Sequence, residues 1–402
     1  MTATKPIDVV VAGHLCLDLS PGFADHGSQT LKDILVPGRL VNVGPAALST
    51  GGAVSNTGLT LRMLGLKTCL MGKIGADVLG QSVRHILDAY EASDSLIVDT
   101  KAATAYSVVI APPGIDRIFL HHPGANDTFI SADLDPEKLS SCRLFHFGYP
   151  PLMRRMYSDG GRELLTMFQM ARRAGAATSL DLALPDPASP AGRANWGAIL
   201  AKVLPVVDIF LPSLEELLYM VDRPVYECLK ASAGEADICT VCPEQLLSDL
   251  GTRILSFGVK ILAIKLGKRG YYIRTSGRDN LKTMQSATPA DIRNWAGREL
   301  WSEPYHVAQV ASTSGAGDAS IAGFLAGLLS GSSIETAAEL ACAVAGLKIQ
   351  VKTSVGGIRP LTDVLASLAT WAKERQVLGH GWRYNSATRL WSGKMDQAPE
   401  AK

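Results

Sequence analysis

Charge of one sign is what this sequence lacks most plainly. Its 402 residues hold 39 Lys and Arg against 38 Asp and Glu, a formal net charge of +1 at pH 7. So weak a field gives no general attraction for nucleic acid or for an anionic membrane, and neither is expected as a partner. Long hydrophobic runs are missing too: no stretch reaches the about 18 uninterrupted apolar residues that a membrane span needs. The opening MTATKPIDVVVAGH has no apolar run ahead of a small-residue cleavage site, so no secretory leader is expected and the reading is cytoplasmic. Cysteine is sparse: seven residues, an odd number, scattered along the chain. They read as reduced thiols, several of them buried. Cys239 and Cys242 form one CxxC, but no second CxxC or His pair lies near it, so a zinc site is not expected there. The 38 glycines follow no G-X-Y period, which excludes collagen.

What is present suffices for a large core: 47% hydrophobic and 19% charged residues. The length suits one large α/β unit with an appendage, or two to three domains. Short β-branched runs at 7–12, 68–71, 143–147, 177–180, 207–211 and 261–266 read as strands. Segments 51–64, 77–91, 152–174 and 334–349 read as helices. Strand–helix alternation predicts a mainly parallel sheet covered by helices on both faces. Two β-prone runs, 104–110 and 117–121, flank a Pro/Gly turn at 112–116 and read as a hairpin. With the Gly/Pro-rich segment 19–45 they suggest a small separate sheet. Residues 275–309 read as an insertion or long loop, and the polar end beyond 375 as a tail that packs back or stays disordered.

The strongest local signal is Ser312-Thr313-Ser314-Gly315-Ala316-Gly317-Asp318 running into an apolar helix. The first amides of a helix lack internal partners and carry partial positive charge. Small residues there leave room for phosphate oxygens. Asp318 at the mouth of this cradle suits a base that takes a proton from an attacking hydroxyl. A helix cap is the competing reading, and sequence chemistry leaves both open. Ser320 stands where GxGxxG needs its third Gly, so the dinucleotide fingerprint fails.

The Gly315–Asp318 stretch resembles the DTxGAGD signature of PfkB-type carbohydrate kinases, the ribokinase-like family. Further motifs follow in that family's order. Gly51-Gly52-Ala53-Val54-Ser55-Asn56 is similar to its GGxxxN, and Gly72 to Gly80 to its GxIGxDxxG. Asp18 lies where the family places a sugar-binding Asp, and Lys265 to Gly270 resembles its LGxxG turn. The set covers roughly residues 7 to 360 and implies a ribokinase-like α/β fold with a β lid (19–45 and 98–123) in a kinase domain of 1–375, followed by a tail, 376–402.

The resemblance implies an ATP-dependent kinase acting on a hydroxyl of a small sugar or sugar-like acceptor, with Mg2+. Asp318 would be the base, and Gly315, Ala316 and Gly317 the anion hole. Asp18, Gly51, Gly52 and Asn56 would bind the sugar. Lys265, Gly267, Gly270, Thr313 and Ser314 would serve the nucleotide and its phosphates, and Glu216 would order magnesium-bound water. Lids that meet in pairs imply a homodimer. Ser312 replaces the first Asp of DTxGAGD, which in the family helps organise a monovalent-cation site, so K+ is in doubt. Ser213 replaces the Asn of NxxE, Ala53 stands where ribokinases carry Lys, and 181–183 lacks the Asn of DxN. A nucleoside kinase of the same fold and a non-catalytic sugar- or nucleotide-sensing homologue remain the alternatives. Asp181, beyond a strand end, reads as facing the cleft or as a turn residue. His121 and His122 read as lid surface or substrate contacts, since neighbours on a strand point to opposite faces.

Overall fold

The computed structural model describes residues 5–23, 34–112, 117–353 and 355–398. Among these, ten strands form the main sheet. β1 (Ile7–Gly13) starts the chain, and the outer strand beside it is β4 (Thr68–Met71). On its other side follow β9 (Cys142–Gly148), β10 (Ala177–Leu180), β11 (Ile209–Phe210) and β12 (Ile261–Lys265), all six parallel. β1 shows why the sequence reads as continuous apolar residues. Val10 and Ala12 enter one core layer with Phe145 and Phe147, while Val9 and Val11 enter the other with Leu144 and Ala177. Helices cover both faces, so no polar alternation is needed.

A second sheet forms the lid. β2 (Cys16–Gly22) pairs with β3 (Gly44–Gly51) on one side and β7 (Tyr106–Ile110) on the other, and β7 pairs with β8 (Ile118–His122). The expected hairpin and the expected small sheet are therefore one structure; 24–33 of the first segment and 113–116 of the turn lie outside the described residues. A short parallel pair, β5 (Lys73–Gly75) and β6 (Ile97–Asp99), joins lid to core. Asp77 fixes this joint. Its carboxylate caps the helix Val78–Asp88 through Gly80 N at 2.8 Å and takes Thr104 N at 2.8 Å.

Two expectations change, and of the two readings of the polar end the first is the one found. The helix expected over 152–174 starts only at Arg162, because Asp159, Gly160 and Gly161 all adopt positive φ and break it. The expected insertion 275–309 instead runs through the sheet: β13 (Tyr271–Thr275) and β14 (Glu299–Ser302) extend it antiparallel, and Trp295 between them is fully buried. The polar end packs back. β15 (Arg383–Asn385) and β16 (Leu390–Ser392) add the last two strands beside β14.

Polarity misled the reading of these segments because their charges are satisfied inside. Arg298 donates to Glu335 at 2.7 Å and Asp396 at 2.8 Å, with its side chain 5% exposed. One guanidinium thus ties β14 and the C-terminal segment to the helix Ile334–Lys348. Removing it strands two buried carboxylates. Arg298→Met is expected to lower the unfolding free energy by about 3–5 kcal/mol, read by urea denaturation. A loss within about 0.5 kcal/mol, the usual range for a surface change, would contradict this account.

Candidate active site

The helix Ala316–Leu329 begins at Gly315, whose φ of 73° is left-handed and suits glycine. The helix is buried almost throughout and packs on Ile334–Lys348 so closely that a Cβ at Gly327 would lie 2.8 Å from Ala337 Cα. Within the protein the amides of Gly315 and Gly317 have no partner among the described hydrogen bonds. Ala316 N is different, donating to Thr313 O at 3.3 Å, and Ser314 N is taken by Ser312 Oγ at 3.2 Å. Of the three amides expected to form an anion hole, Gly315 N and Gly317 N are without a partner among the described hydrogen bonds, while Ala316 N is used to close the loop.

Asp318 does not cap this helix. Its side chain leaves the helix and accepts hydrogen bonds from three others: Tyr149 OH at 2.7 Å, Asn56 Nδ2 at 2.9 Å and Thr57 Oγ1 at 3.3 Å. Tyr149 and Asn56 both reach Oδ2. Burial, with Asp318 beside it, raises the Tyr149 phenol well above its ordinary range, so it stays protonated and can only donate here. Tyr149 sits just past β9 with a φ of 65°, an uncommon conformation for a bulky residue. It lies at the C-terminal edge of the parallel strands, where ligands gather in open α/β sheets.

Beyond the hole lies a second charged group. Lys265, ending β12, contacts Asp181 Oδ1 at 2.6 Å and Glu216 Oε2 at 3.7 Å. Burial acts to lower its pKa, but Asp181 and Glu216 outweigh it, so the ammonium is held charged. Its stem lies 3.4 Å from where a Cβ on Gly317 would stand. Ser213, the substitution that seemed a loss, caps the helix Leu214–Val221: its Oγ accepts from Glu216 N at 3.2 Å while Glu216 Oε2 accepts from Ser213 N at 2.7 Å.

Gly267 and Gly270 shape the β12–β13 turn. Within it Arg269 donates to the carbonyls of Cys239 and Cys242 at 2.9 and 2.8 Å. The CxxC thus clamps an arginine, and burial pushes the Cys242 thiol up to about 12.

Lid residues complete the enclosure. Asp18 and His14 occupy the space that side chains at Gly51 and Gly52 would need, and Gly52 has a φ of 87°. These glycines are explained by close packing of protein groups. Arg117, at the start of β8, reaches across to Thr313 Oγ1 at 2.8 Å. A lid cation is thereby latched onto the loop of the anion hole.

Residues 8–359 match the description pfkB family carbohydrate kinase. The chain belongs to that family. As a pfkB carbohydrate kinase it is an ATP-dependent phosphotransferase with a ribokinase-like α/β fold. An uncharacterized sugar kinase of Archaeoglobus fulgidus is 24% identical over 294 residues, covering 72% of this chain and 94% of its own. A 5-dehydro-2-deoxygluconokinase of Listeria monocytogenes is 21% identical over 374 residues, covering 92% and 98%. Among solved structures, Arabidopsis thaliana ribokinase complexed with ribose and ATP superposes with a TM-score of 0.66 at 19% identity, covering 90% of this chain and 98% of its own. No helix among the described residues is long and apolar enough to cross a membrane.

In this pfkB kinase, the structure brings Asp318, Gly315, Gly317, Asn56, Thr313 and Lys265 into one neighbourhood. Sequence reading missed Tyr149, Thr57 and Lys348. The last is a 2%-exposed lysine whose Cε lies 3.4 Å from the place of a Gly315 Cβ. Asn56, expected to face the sugar, donates to Asp318.

Proposed function

We propose that this kinase transfers the γ-phosphoryl of Mg-ATP to a hydroxyl of a small sugar or sugar-like acceptor, with Asp318 as the base. The observation that carries the reading is one carboxylate held by three donors beside the unpaired amides of Gly315 and Gly317. As the acceptor oxygen bonds to phosphorus and the bond to ADP breaks, Asp318 takes the hydroxyl proton. The free amides and the charged Lys265 lie where negative charge spreads. Asp18, Gly51, Gly52 and Asn56 form the acceptor side under the lid. Gly267, Gly270, Thr313 and Ser314 form the nucleotide side.

Magnesium suits the acidic side of the cleft. Asp181 Oδ2 is buried with no hydrogen-bond partner, and Glu216 lies beside the same lysine. Hard oxygen donors of this kind hold Mg2+ directly or through water. The ion would neutralise the phosphates of the nucleotide. The lid face that carries the register-aligned Leu48 and Leu120 exposes both, an apolar surface consistent with a homodimer through paired lids.

The test is ADP release over ketoses, aldoses, sugar acids and nucleosides, with and without K+. One acceptor class should raise ADP release far above the acceptor-free rate. ATP binding with no acceptor-dependent ADP from any class would overturn the reading in favour of a sensor, and a response to nucleosides alone would replace the sugar by a nucleoside.

A further inference from the structure

Across the lid sheet, Asp18, Ser107 and His121 are register partners on β2, β7 and β8. Register partners face the same side of a sheet, and Cys16, two residues before Asp18, shares that side. His14 approaches from the loop between β1 and β2. His14 Nε2 and His121 Nε2 lie 3.2 Å apart. One ligand atom from each of His14, Cys16 and His121 lies within 4.8 Å of the others, and among the described residues this is the one such group of His, Cys, Asp or Glu. The fourth neighbour is a carboxylate: Asp18 Oδ1 lies 3.4 Å from Cys16 Sγ.

We infer that His14, Cys16 and His121 form a binding site for a zinc-like transition-metal ion beneath the lid, with the Asp18 carboxylate beside Cys16. The spacing fits. Tetrahedral zinc with metal–nitrogen bonds of about 2.0–2.1 Å places two ligating nitrogens about 3.3 Å apart. The ligand chemistry fits as well: nitrogen and sulfur donors select zinc over magnesium, so Mg2+ supplied with the nucleotide does not compete. His121 Nδ1 is bonded to Ser107 Oγ at 3.0 Å, a partner of the kind that fixes the tautomer of a metal ligand. Ser107 also lies 3.8 Å from Cys16 Sγ, completing an outer shell.

A divalent ion would balance one thiolate and one carboxylate. On binding, the metal–sulfur bond forms and the thiol proton passes to solvent.

The consequence is regulatory and rests on the proposed acceptor side. His121 cannot bind an acceptor hydroxyl while it binds an ion, and the Asp18 carboxylate lies beside that ion's thiolate ligand. The ion also ties the outer lid strand β8 to β2. Free zinc should therefore inhibit in competition with the acceptor.

The experiment is a Co2+ titration of the full chain with its thiols kept reduced. A saturable thiolate-to-cobalt charge-transfer band, with visible bands of tetrahedral intensity, is expected. Cys16→Ser should abolish the charge-transfer band, and His121→Ala should weaken binding by roughly a hundredfold, the upper end of what losing even an outer-shell partner costs. No saturable band, or one that persists in Cys16→Ser, overturns the site. This arm needs no acceptor, so it stands apart from the kinase reading. In the kinetic arm, Zn2+ should raise the acceptor KM and leave kcat unchanged. A cobalt band without that competition would overturn the regulatory role.

Discussion

Asp318→Asn is expected to bind ATP as the native enzyme does and to lose ~10²–10⁴ in kcat. The substitution keeps shape and leaves an oxygen able to accept from Tyr149 and Asn56, the two groups that reach Oδ2. What disappears is the ability to take a proton. The loss should fall on kcat, with acceptor KM changed little, because the proton moves only as the new bond forms. Steady-state kinetics with nucleotide binding measured by calorimetry separates the two. Turnover within about tenfold of native would remove Asp318 as base and leave the amides alone to explain catalysis. Tyr149 bears on the same point. Its phenol is held protonated and aimed at the carboxylate, so it orients the base and cannot replace it as acceptor.

Much of this was legible in the chain because local rules and the global fold agree. The apolar run of β1 is continuous since both faces of the sheet are covered. The Gly315–Asp318 turn announced a helix N-terminus, and the structure has one there. What could not be read was the company Asp318 keeps. Its three donors lie 169 to 262 residues away in sequence, and no spacing rule reaches that far. Tyr149 left only a weak trace, a polar aromatic at the end of a parallel strand. The segment around β14 was misread for a different reason. Its charges looked solvated, but Arg298 carries its counterions into the interior, and composition cannot distinguish a paired buried charge from a hydrated one.

Lys348 is the second residue whose loss should be large, and it shows a conflict between stability and activity. It ends the helix Ile334–Lys348 and is 2% exposed. None of the described hydrogen bonds or ion pairs uses its Nζ. Its Cε approaches the Gly315 position, and the same spot lies 3.6 Å from Asn56 Cγ, beside the base. Burial and then Arg117 lower its pKa, while Asp318 works the other way. An ammonium without a partner on so largely buried a side chain is costly, and packing gives no reason for one here. With its stem against Gly315, it would add a full positive charge close to the start of that helix, where the proposed phosphoryl transfer takes place. Lys348→Met should therefore lower kcat by ~10²–10³, the usual cost of one donor to developing charge. The same variant should melt at or above the native temperature, because a methionine of similar length needs no counterion. The pH profile gives an independent reading. A cation with lowered pKa loses its charge sooner as pH rises, so native kcat should fall on the alkaline side, whereas Lys348→Arg should keep its rate there. If the methionine variant turns over within about twofold of native, the buried charge has no part in phosphoryl transfer. If it also unfolds more easily, Lys348 is a structural residue with a partner outside the described contacts.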